Sequence, residues 1–333
     1  MKLLICYGTR PEYIKIKPLL KVLHNKIDYK TLFVKQHTDI MGFENYDYEL
    51  NIEDPTDNRL NNILYSIHKN FILPKDITHI LVQGDTATAY CLALNAFNNN
   101  IKIIHLEAGL RTYDLLNPYP EEAYRQMISR ISDINLCPTE NNKQNLIEEK
   151  VSGKNYVVGN TVLDNLLDIK TEYTNKILIT LHRRENHKII EKYFNILSEI
   201  ACENKDLEFI LPLHPNPNVQ KYKYLLKNIT IVNPLEYSEL LKLLANIKFA
   251  ISDSGGIQEE CSFLNKKVIV CRKITERQES LNKHSFLCES PEKLKDIFNQ
   301  INLNFEIKAP CPFGDGKASY KILDILLKEA DNL

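Results

Sequence analysis

Short, unbroken apolar runs recur along the chain, at residues 3–7, 31–35, 79–83, 102–106, 134–137 and 156–158 in the first half and at 176–181, 208–212, 229–232, 248–251 and 267–271 in the second. Stretches of helical periodicity separate them. A strand exposed on one face alternates apolar with polar residues, whereas one buried on both faces does not. Continuous runs, each followed by a helical stretch, therefore predict parallel strands covered on both sides, and with them an α/β fold of two doubly wound, Rossmann-like domains. Length agrees, because 333 residues exceed the roughly 250–300 that a single core usually serves. The polar run Lys170-Thr171-Glu172-Tyr173-Thr174-Asn175-Lys176, which follows a helix-like stretch at 162–167, marks the break. The predicted domains are 1–169 and 170–316, with a closing helix over 317–333 that joins the first.

Charge narrows the partners. With 42 basic against 43 acidic residues and a net charge of −1, the chain lacks the basic excess of a nucleic-acid binder or a membrane-surface protein, so a small molecule is the expected partner. No stretch reaches the 18 or so apolar residues of a membrane span, and the apolar start runs straight into Gly8-Thr9-Arg10-Pro11 rather than a cleavage site. A buried first strand of a cytoplasmic protein is the expectation. The eight cysteines form no C-x-x-C pair and several sit within apolar runs, which predicts reduced, structural thiols.

The chemistry-bearing residues fall where strands end. Ser252-Asp253-Ser254-Gly255-Gly256-Ile257-Gln258-Glu259-Glu260 follows the strand at 248–251. A strand that turns through small residues into a helix leaves unpaired N–H groups at the helix start, a place that favours phosphate. Glu260, about one turn further, suits ribose hydroxyls better than the anion. Such a turn is often only a tight connection, so the neighbouring motifs carry the weight. After the first strand, Gly8-Thr9-Arg10-Pro11-Glu12-Tyr13-Ile14-Lys15 offers Arg10 and Lys15 to a phosphate. Three carboxylates come to the same sheet edge: Asp85 in Gln83-Gly84-Asp85-Thr86, Glu107 in His105-Leu106-Glu107-Ala108-Gly109-Leu110-Arg111-Thr112, and Glu121 in Pro120-Glu121-Glu122. Asp85 alone would suit a helix cap and Glu121 a helix dipole. Gathered together, like charges raise one another's pKa, which lets a carboxylate exchange protons near neutral pH. In the second half, His182 and His214 each stand where a strand gives way to a loop. Neither lies at metal-ligand spacing, and no metal is expected.

This constellation resembles the non-hydrolysing UDP-N-acetylglucosamine 2-epimerase family, whose two-domain fold is shared with GT-B glycosyltransferases. The resemblance runs from Gly8-Thr9-Arg10-Pro11-Glu12 to Gly314-Asp315-Gly316-Lys317-Ala318-Ser319 and includes Val158-Gly159-Asn160-Thr161-Val162, His182-Arg183-Arg184-Glu185-Asn186 and Thr275-Glu276-Arg277. It implies two domains facing across a cleft and interconversion of UDP-GlcNAc and UDP-ManNAc. In that chemistry UDP leaves C1 as the C2 proton is removed, 2-acetamidoglucal forms, and UDP adds back after reprotonation on the other face. No nicotinamide or other cofactor is implied, and the product would supply ManNAc-type sugars for surface polysaccharide. By the same resemblance Asp85, Glu107 and Glu121 are the proton-transfer and ion-stabilising acids and His182 stands near the pyrophosphate. Arg10, Ser254, Gly255 and Gly256 hold the diphosphate, Glu260 meets the ribose, and Arg277, Lys15 and His214 complete the polar lining. Uracil is expected near Pro234-Leu235-Glu236-Tyr237. A homodimer is also implied.

Three departures qualify the match. Gln278 stands where the family's Thr-Glu-Arg-Pro-Glu has proline, removing a fixed φ. Thr38, in Gln36-His37-Thr38-Asp39, replaces an arginine that many members carry in a region tied to activation by a second UDP-GlcNAc. The segment Glu44-Asn45-Tyr46-Asp47-Tyr48-Glu49-Leu50-Asn51 resembles relatives acting on other UDP-2-acetamido sugars. The alternatives are a hydrolysing 2-epimerase releasing ManNAc and UDP, an epimerase of a related UDP-sugar, a GT-B glycosyltransferase and a non-catalytic UDP-sugar sensor.

Overall fold

The structure, a computed structural model, describes residues 1–36 and 46–331. His37, Thr38, Asp39, Glu44 and Asn45, which the sequence comparison singles out, lie outside the described residues. The chain divides into two compact units, Met1–Asn165 with Gly314–Leu333, and Leu166–Phe313.

The first unit runs β1 (Lys2–Tyr7), α1 (Arg10–Leu23), β2 (Asp28–Val34), β3 (Tyr48–Leu50), α2 (Arg59–Asn70), β4 (His79–Gln83), α3 (Ala87–Asn98), β5 (Lys102–Leu106), α4 (Glu121–Ile131), β6 (Ile134–Cys137), α5 (Glu140–Glu148) and β7 (Lys154–Val157). The second runs β8 (Lys176–Thr180), α6 (Ile190–Glu203), β9 (Glu208–Pro212), α7 (Pro217–Gln220), β10 (Ile229–Val232), α8 (Tyr237–Ala245), β11 (Phe249–Ser252), α9 (Gly255–Phe263), β12 (Lys267–Val270), β13 (Ser285–Leu287) and α10 (Leu294–Leu303). A last helix, α11 (Ala318–Asp331), returns to the first unit.

Each unit is built on a parallel sheet among the described residues, ordered β3-β2-β1-β4-β5-β6-β7 in the first and β10-β9-β8-β11-β12-β13 in the second. This is the doubly wound, Rossmann-like α/β class that the unbroken apolar runs predict. Strand β4 is buried at every position, as are β11 and β12, because helices cover both faces of the sheet. Two apolar clusters flank the first sheet: Leu4, Val82 and Ile80 pack with α2 and α3, while Leu3, Ile5 and Leu81 pack with α1 and α11. Burial of each such Leu or Ile is worth about 1.5–3 kcal/mol, and these paired layers hold the strand ends at fixed heights.

Local chemistry sets the helix starts. Thr9 caps α1 by accepting from Glu12 N–H, Thr86 caps α3 by accepting from Ala89 N–H at 3.0 Å, and Thr139 caps α5. The helix start after β4 is therefore capped by Thr86, which leaves the Asp85 carboxylate for other work. Residues 161–165 form a single tight 3-10 turn, not the longer helix-like stretch expected at 162–167. Its Asn165 amide donates to the Ile14 carbonyl of α1, which ties the turn to the first unit. The short edge strands β3 and β13 are absent from the apolar pattern: each has three residues with a single one buried, too few to form an unbroken run.

In each sheet the strand order reverses beside the first strand of the unit, between β1 and β4 and between β8 and β11. At such a reversal the connections leave on opposite faces, and the carboxyl ends of the two strands form a crevice where ligands bind.

Candidate active site

At the switch point of the first unit, Arg10 opens α1 and Lys15 stands one turn on, while β4 and β5 deliver Asp85 and Glu107. Lys15 Nζ donates to both oxygens of Glu107, at 2.6 and 2.5 Å, and both side chains are nearly buried. Glu107 also accepts from the Gln83 amide and, at 3.1 Å, from the Asn160 amide. Its backbone lies in the left-handed region (φ 68°), uncommon for a residue with a Cβ, so these donors and the turn around it hold the carboxylate in a strained pose. The adjacent turn is fixed as well: His105 Nε2 lies 2.8 Å from the Gly84 carbonyl, and Gly84 itself has φ 68°. Burial pushes the His105 imidazole down to about 4, so the ring is neutral near pH 7.

Asp85 accepts from Arg125 through Nε at 2.9 Å and through a second guanidinium nitrogen. Arg125 also donates to Glu122, which is fully buried and receives the N–H groups of Thr112 and Tyr113 at 3.0 and 3.1 Å. Glu121, at the head of α4, is partly buried beside it. The expectation that neighbouring carboxylates set one another's charge meets a different arrangement: a cation holds Asp85 and another holds Glu107. Arg111 does not join them, since it is buried and paired bidentately with Glu149. A further acid, Glu12, is buried and accepts from Gly8 N–H, Thr9 Oγ1 and Thr86 Oγ1, bracing the β1 and β4 turns against each other. Burial pushes its pKa up.

The second unit gathers His182, His214 and the α9 turn at its own switch point. Asp253 is fully buried; its Oδ2 accepts from the backbone N–H groups of His182 and Arg183 at 2.9 Å each and from the Asn186 amide at 3.0 Å. The rings of His182 and His214 stack at 5.2 Å with 7° between their planes. Burial, with the neighbouring His182 next, pushes His214 below its ordinary value. Ser254 takes the N-cap position of α9 and its side chain makes no capping bond, so Gly255 and Gly256 open the helix with N–H groups free of a side-chain cap.

A Cβ on Gly255 would lie 2.5 Å from a guanidinium nitrogen of Arg277, which explains the glycine there by close packing. Arg277 is buried, donates to Glu259 at 2.8 Å and bonds Glu276. It braces α9 from behind. Gln278, in place of proline, donates to the Thr275 carbonyl at 2.5 Å and so pins this loop by a hydrogen bond instead of a ring. Glu260 is buried in α9 and accepts from the Tyr237 hydroxyl at 2.9 Å, which links it to the segment expected near uracil.

Of the predicted site residues, Arg10, Lys15, Asp85, Glu107 and Glu121 thus come from the strand ends and helix starts of the first unit. His182, His214, Ser254, Gly255 and Gly256 come from those of the second, with Glu260 further along α9 and Arg277 in the loop between β12 and β13. Arg125 is a partner that the sequence motifs pass over. Its signal is faint: a cation three positions after Glu122 on one helix face.

Fold and strand-end chemistry together define a class: proteins of two parallel-sheet, Rossmann-like α/β units with acids at one switch point and a glycine-opened helix with histidines at the other. A family model described as UDP-N-acetylglucosamine 2-epimerase matches residues 17–327. The chain is 38% identical to the UDP-N-acetylglucosamine 2-epimerase of Campylobacter jejuni, over 99% of this chain and 98% of that protein. The crystal structure of UDP-GlcNAc 2-epimerase from Neisseria meningitidis bound to UDP-GlcNAc matches with a TM-score of 0.87 and 34% identity, over 98% of this chain and 100% of that one. The Methanocaldococcus jannaschii UDP-GlcNAc 2-epimerase in complex with UDP-GlcNAc and UDP gives 0.86 and 33%, over the same shares. The chain belongs to the UDP-N-acetylglucosamine 2-epimerase family, as the motifs suggested.

Proposed function

We propose that this protein is a non-hydrolysing UDP-GlcNAc 2-epimerase that interconverts UDP-GlcNAc and UDP-ManNAc without a cofactor. The observation that carries the reading is the pair of carboxylates at the first switch point, Asp85 and Glu107, each held in place by a cation. The C2 proton of the sugar is weakly acidic, so its removal needs a fixed base, and a carboxylate locked by Arg125 or Lys15 loses little freedom on reacting.

In the proposed sequence one acid of the set Asp85, Glu107 and Glu121 takes the C2 proton, the C1–O bond breaks with its electron pair leaving on UDP, and a C1–C2 double bond forms. Reprotonation of C2 on the opposite face and return of UDP to C1 complete the inversion. Arg10, the N–H groups at the start of α9 and His182 stabilise the charge that grows on the departing diphosphate, where fixed dipoles act at no reorganisation cost. Glu260 receives ribose hydroxyls and His214 completes the polar lining, while Lys15 acts through Glu107 and Arg277 through the start of α9. A homodimeric cytoplasmic enzyme supplying ManNAc-type sugars for polysaccharide synthesis is part of the same proposal.

Incubation with UDP-GlcNAc in heavy water, followed by proton NMR, tests it. UDP-ManNAc carrying deuterium at C2 is expected. Free ManNAc with UDP would move the protein to the hydrolysing branch, and intact substrate with no exchange at C2 would refute the epimerase reading for this sugar. Asp85→Asn should bind UDP normally and lose turnover by about 10²-fold or more.

A further inference from the structure

Asp253 does more than brace a loop. All three of its hydrogen bonds converge on Oδ2, from His182 N–H, Arg183 N–H and the Asn186 amide. Its other oxygen, Oδ1, is buried with no hydrogen-bond partner and lies 3.6 Å from Nδ1 of His182. An unsatisfied carboxylate oxygen in a buried place is costly, and a ring nitrogen just beyond bonding distance is the group placed to relieve it.

The remaining freedom of the His182 ring is small. One face stacks on His214, whose own Nδ1 accepts from the Asn216 N–H at 3.1 Å, and its backbone carbonyl faces His187 Nε2 at 3.1 Å. With one face against His214 and Nδ1 turned to Asp253, Nε2 is the ring nitrogen left for a ligand. The His182 side chain is 39% exposed, so a ligand can reach it.

We propose that Asp253 is a positioning residue: when the diphosphate binds, Oδ1 takes a hydrogen bond from Nδ1–H of a doubly protonated His182 ring, which orients the ring so that Nε2–H donates to the leaving group. Catalytic hydrogen bonds are often long in the free protein and tighten with ligand, as a 3.6 Å separation requires here. The inference rests on His182 facing the diphosphate.

Asp253→Asn is a clean probe, because three donors already point at the Oδ2 position and force the amide oxygen there. The amide nitrogen must then face His182 Nδ1 and donate to it, so the ring gives up its Nδ1 proton and with it the positive charge that faces the diphosphate. Long-range proton–nitrogen spectra of ¹⁵N-histidine-labelled protein with UDP, assigned through His182→Asn, read the protonation of each ring nitrogen directly. The expected result is a proton on both nitrogens in the wild type and a bare Nδ1 in Asp253→Asn. Turnover should fall about 10²-fold or more while KM stays within about threefold. A bare Nδ1 in the UDP-bound wild type, or the same protonation pattern in both proteins, overturns the proposal. If the variant fails to fold, the wild-type spectrum alone decides. Absence of epimerase activity would remove the functional reading without touching the ring-protonation result, so the two failures are distinguishable.

Discussion

Gly255 and Gly256 open the same helix but meet different surroundings, and that contrast separates packing from ligand binding. A methyl group at Gly255 would stand 2.5 Å from a guanidinium nitrogen of Arg277 and 2.8 Å from its central carbon. Arg277 cannot retreat without loosening its bonds to Glu259 and Glu276, so Gly255→Ala should cost about 1–3 kcal/mol as overpacking. At Gly256 the nearest atom to an added Cβ is Ser254 Oγ at 4.0 Å, so the methyl enters open space. Alanine in place of a helical glycine of compatible backbone stabilises by about 0.4–1 kcal/mol. Gly256→Ala should therefore raise the melting temperature of the free protein by roughly 1–4 °C. If the diphosphate lies against the backbone at the start of α9, that same methyl stands in its way and UDP affinity should drop at least about tenfold, or 1.4 kcal/mol. Scanning calorimetry and titration calorimetry with UDP read the two effects. A Gly256→Ala protein that is more stable and binds UDP with wild-type affinity would refute the assignment of the phosphate site. One that is destabilised would refute the packing argument.

Lys15→Met removes the cation from Glu107 while keeping most of the side-chain volume, and turnover should fall about 10²-fold, checked by steady-state kinetics; full activity would show that the ion pair has no part in the reaction. Glu122→Ala withdraws the acceptor of two backbone N–H groups and a partner of buried Arg125, so urea denaturation should show a loss of about 3–5 kcal/mol, and an unchanged midpoint would exclude the role. His105 is held down to about 4 when folded and rises to about 6.5 when unfolded, so the unfolded chain binds the extra proton. Stability should accordingly fall as pH drops from 6.5 toward 4, by about 2 kcal/mol between pH 7 and 5 from this residue. His79, pushed down to about 4 by burial, adds in the same direction; a denaturation midpoint that stays flat over this range would contradict both.

The strands buried on both faces were legible because burial on two sides demands an unbroken apolar run, and β4, β5 and β6 fall where those runs do. Edge strands β3 and β13 escape the same logic, since an edge has one partner and three residues supply no pattern. At the site, the sequence exposes what small residues and prolines mark: Ser254-Gly255-Gly256 and the turn at Arg10. It conceals what depends on long-range geometry. Nothing local to Glu107 foretells its left-handed backbone, and the grip of Arg125 on Asp85 joins residues 40 positions apart. The chain divides at Leu166, short of the polar run at 170–176, and Asn165 just before it is tied to α1 by a bond that no hydropathy pattern contains.

The return of α11 to the first unit has a temporal meaning. Asp164 accepts the N–H groups of Ala318 and Ser319 at 3.0 and 2.7 Å, Glu329 pairs with Lys154, and Ile322, Leu323 and Leu326 complete the layer that holds Leu3, Ile5 and Leu19. The second unit is continuous in sequence, from Leu166 to Phe313, so it can finish folding as soon as it leaves the ribosome. The first unit must wait for α11, which is made after the whole of the second unit. The carboxylates at its switch point stand on a half-core that is sealed only after residues 318–331 emerge, so a chain stalled before α11 would carry a finished Ser254–Gly256 turn and an unfinished set of acids.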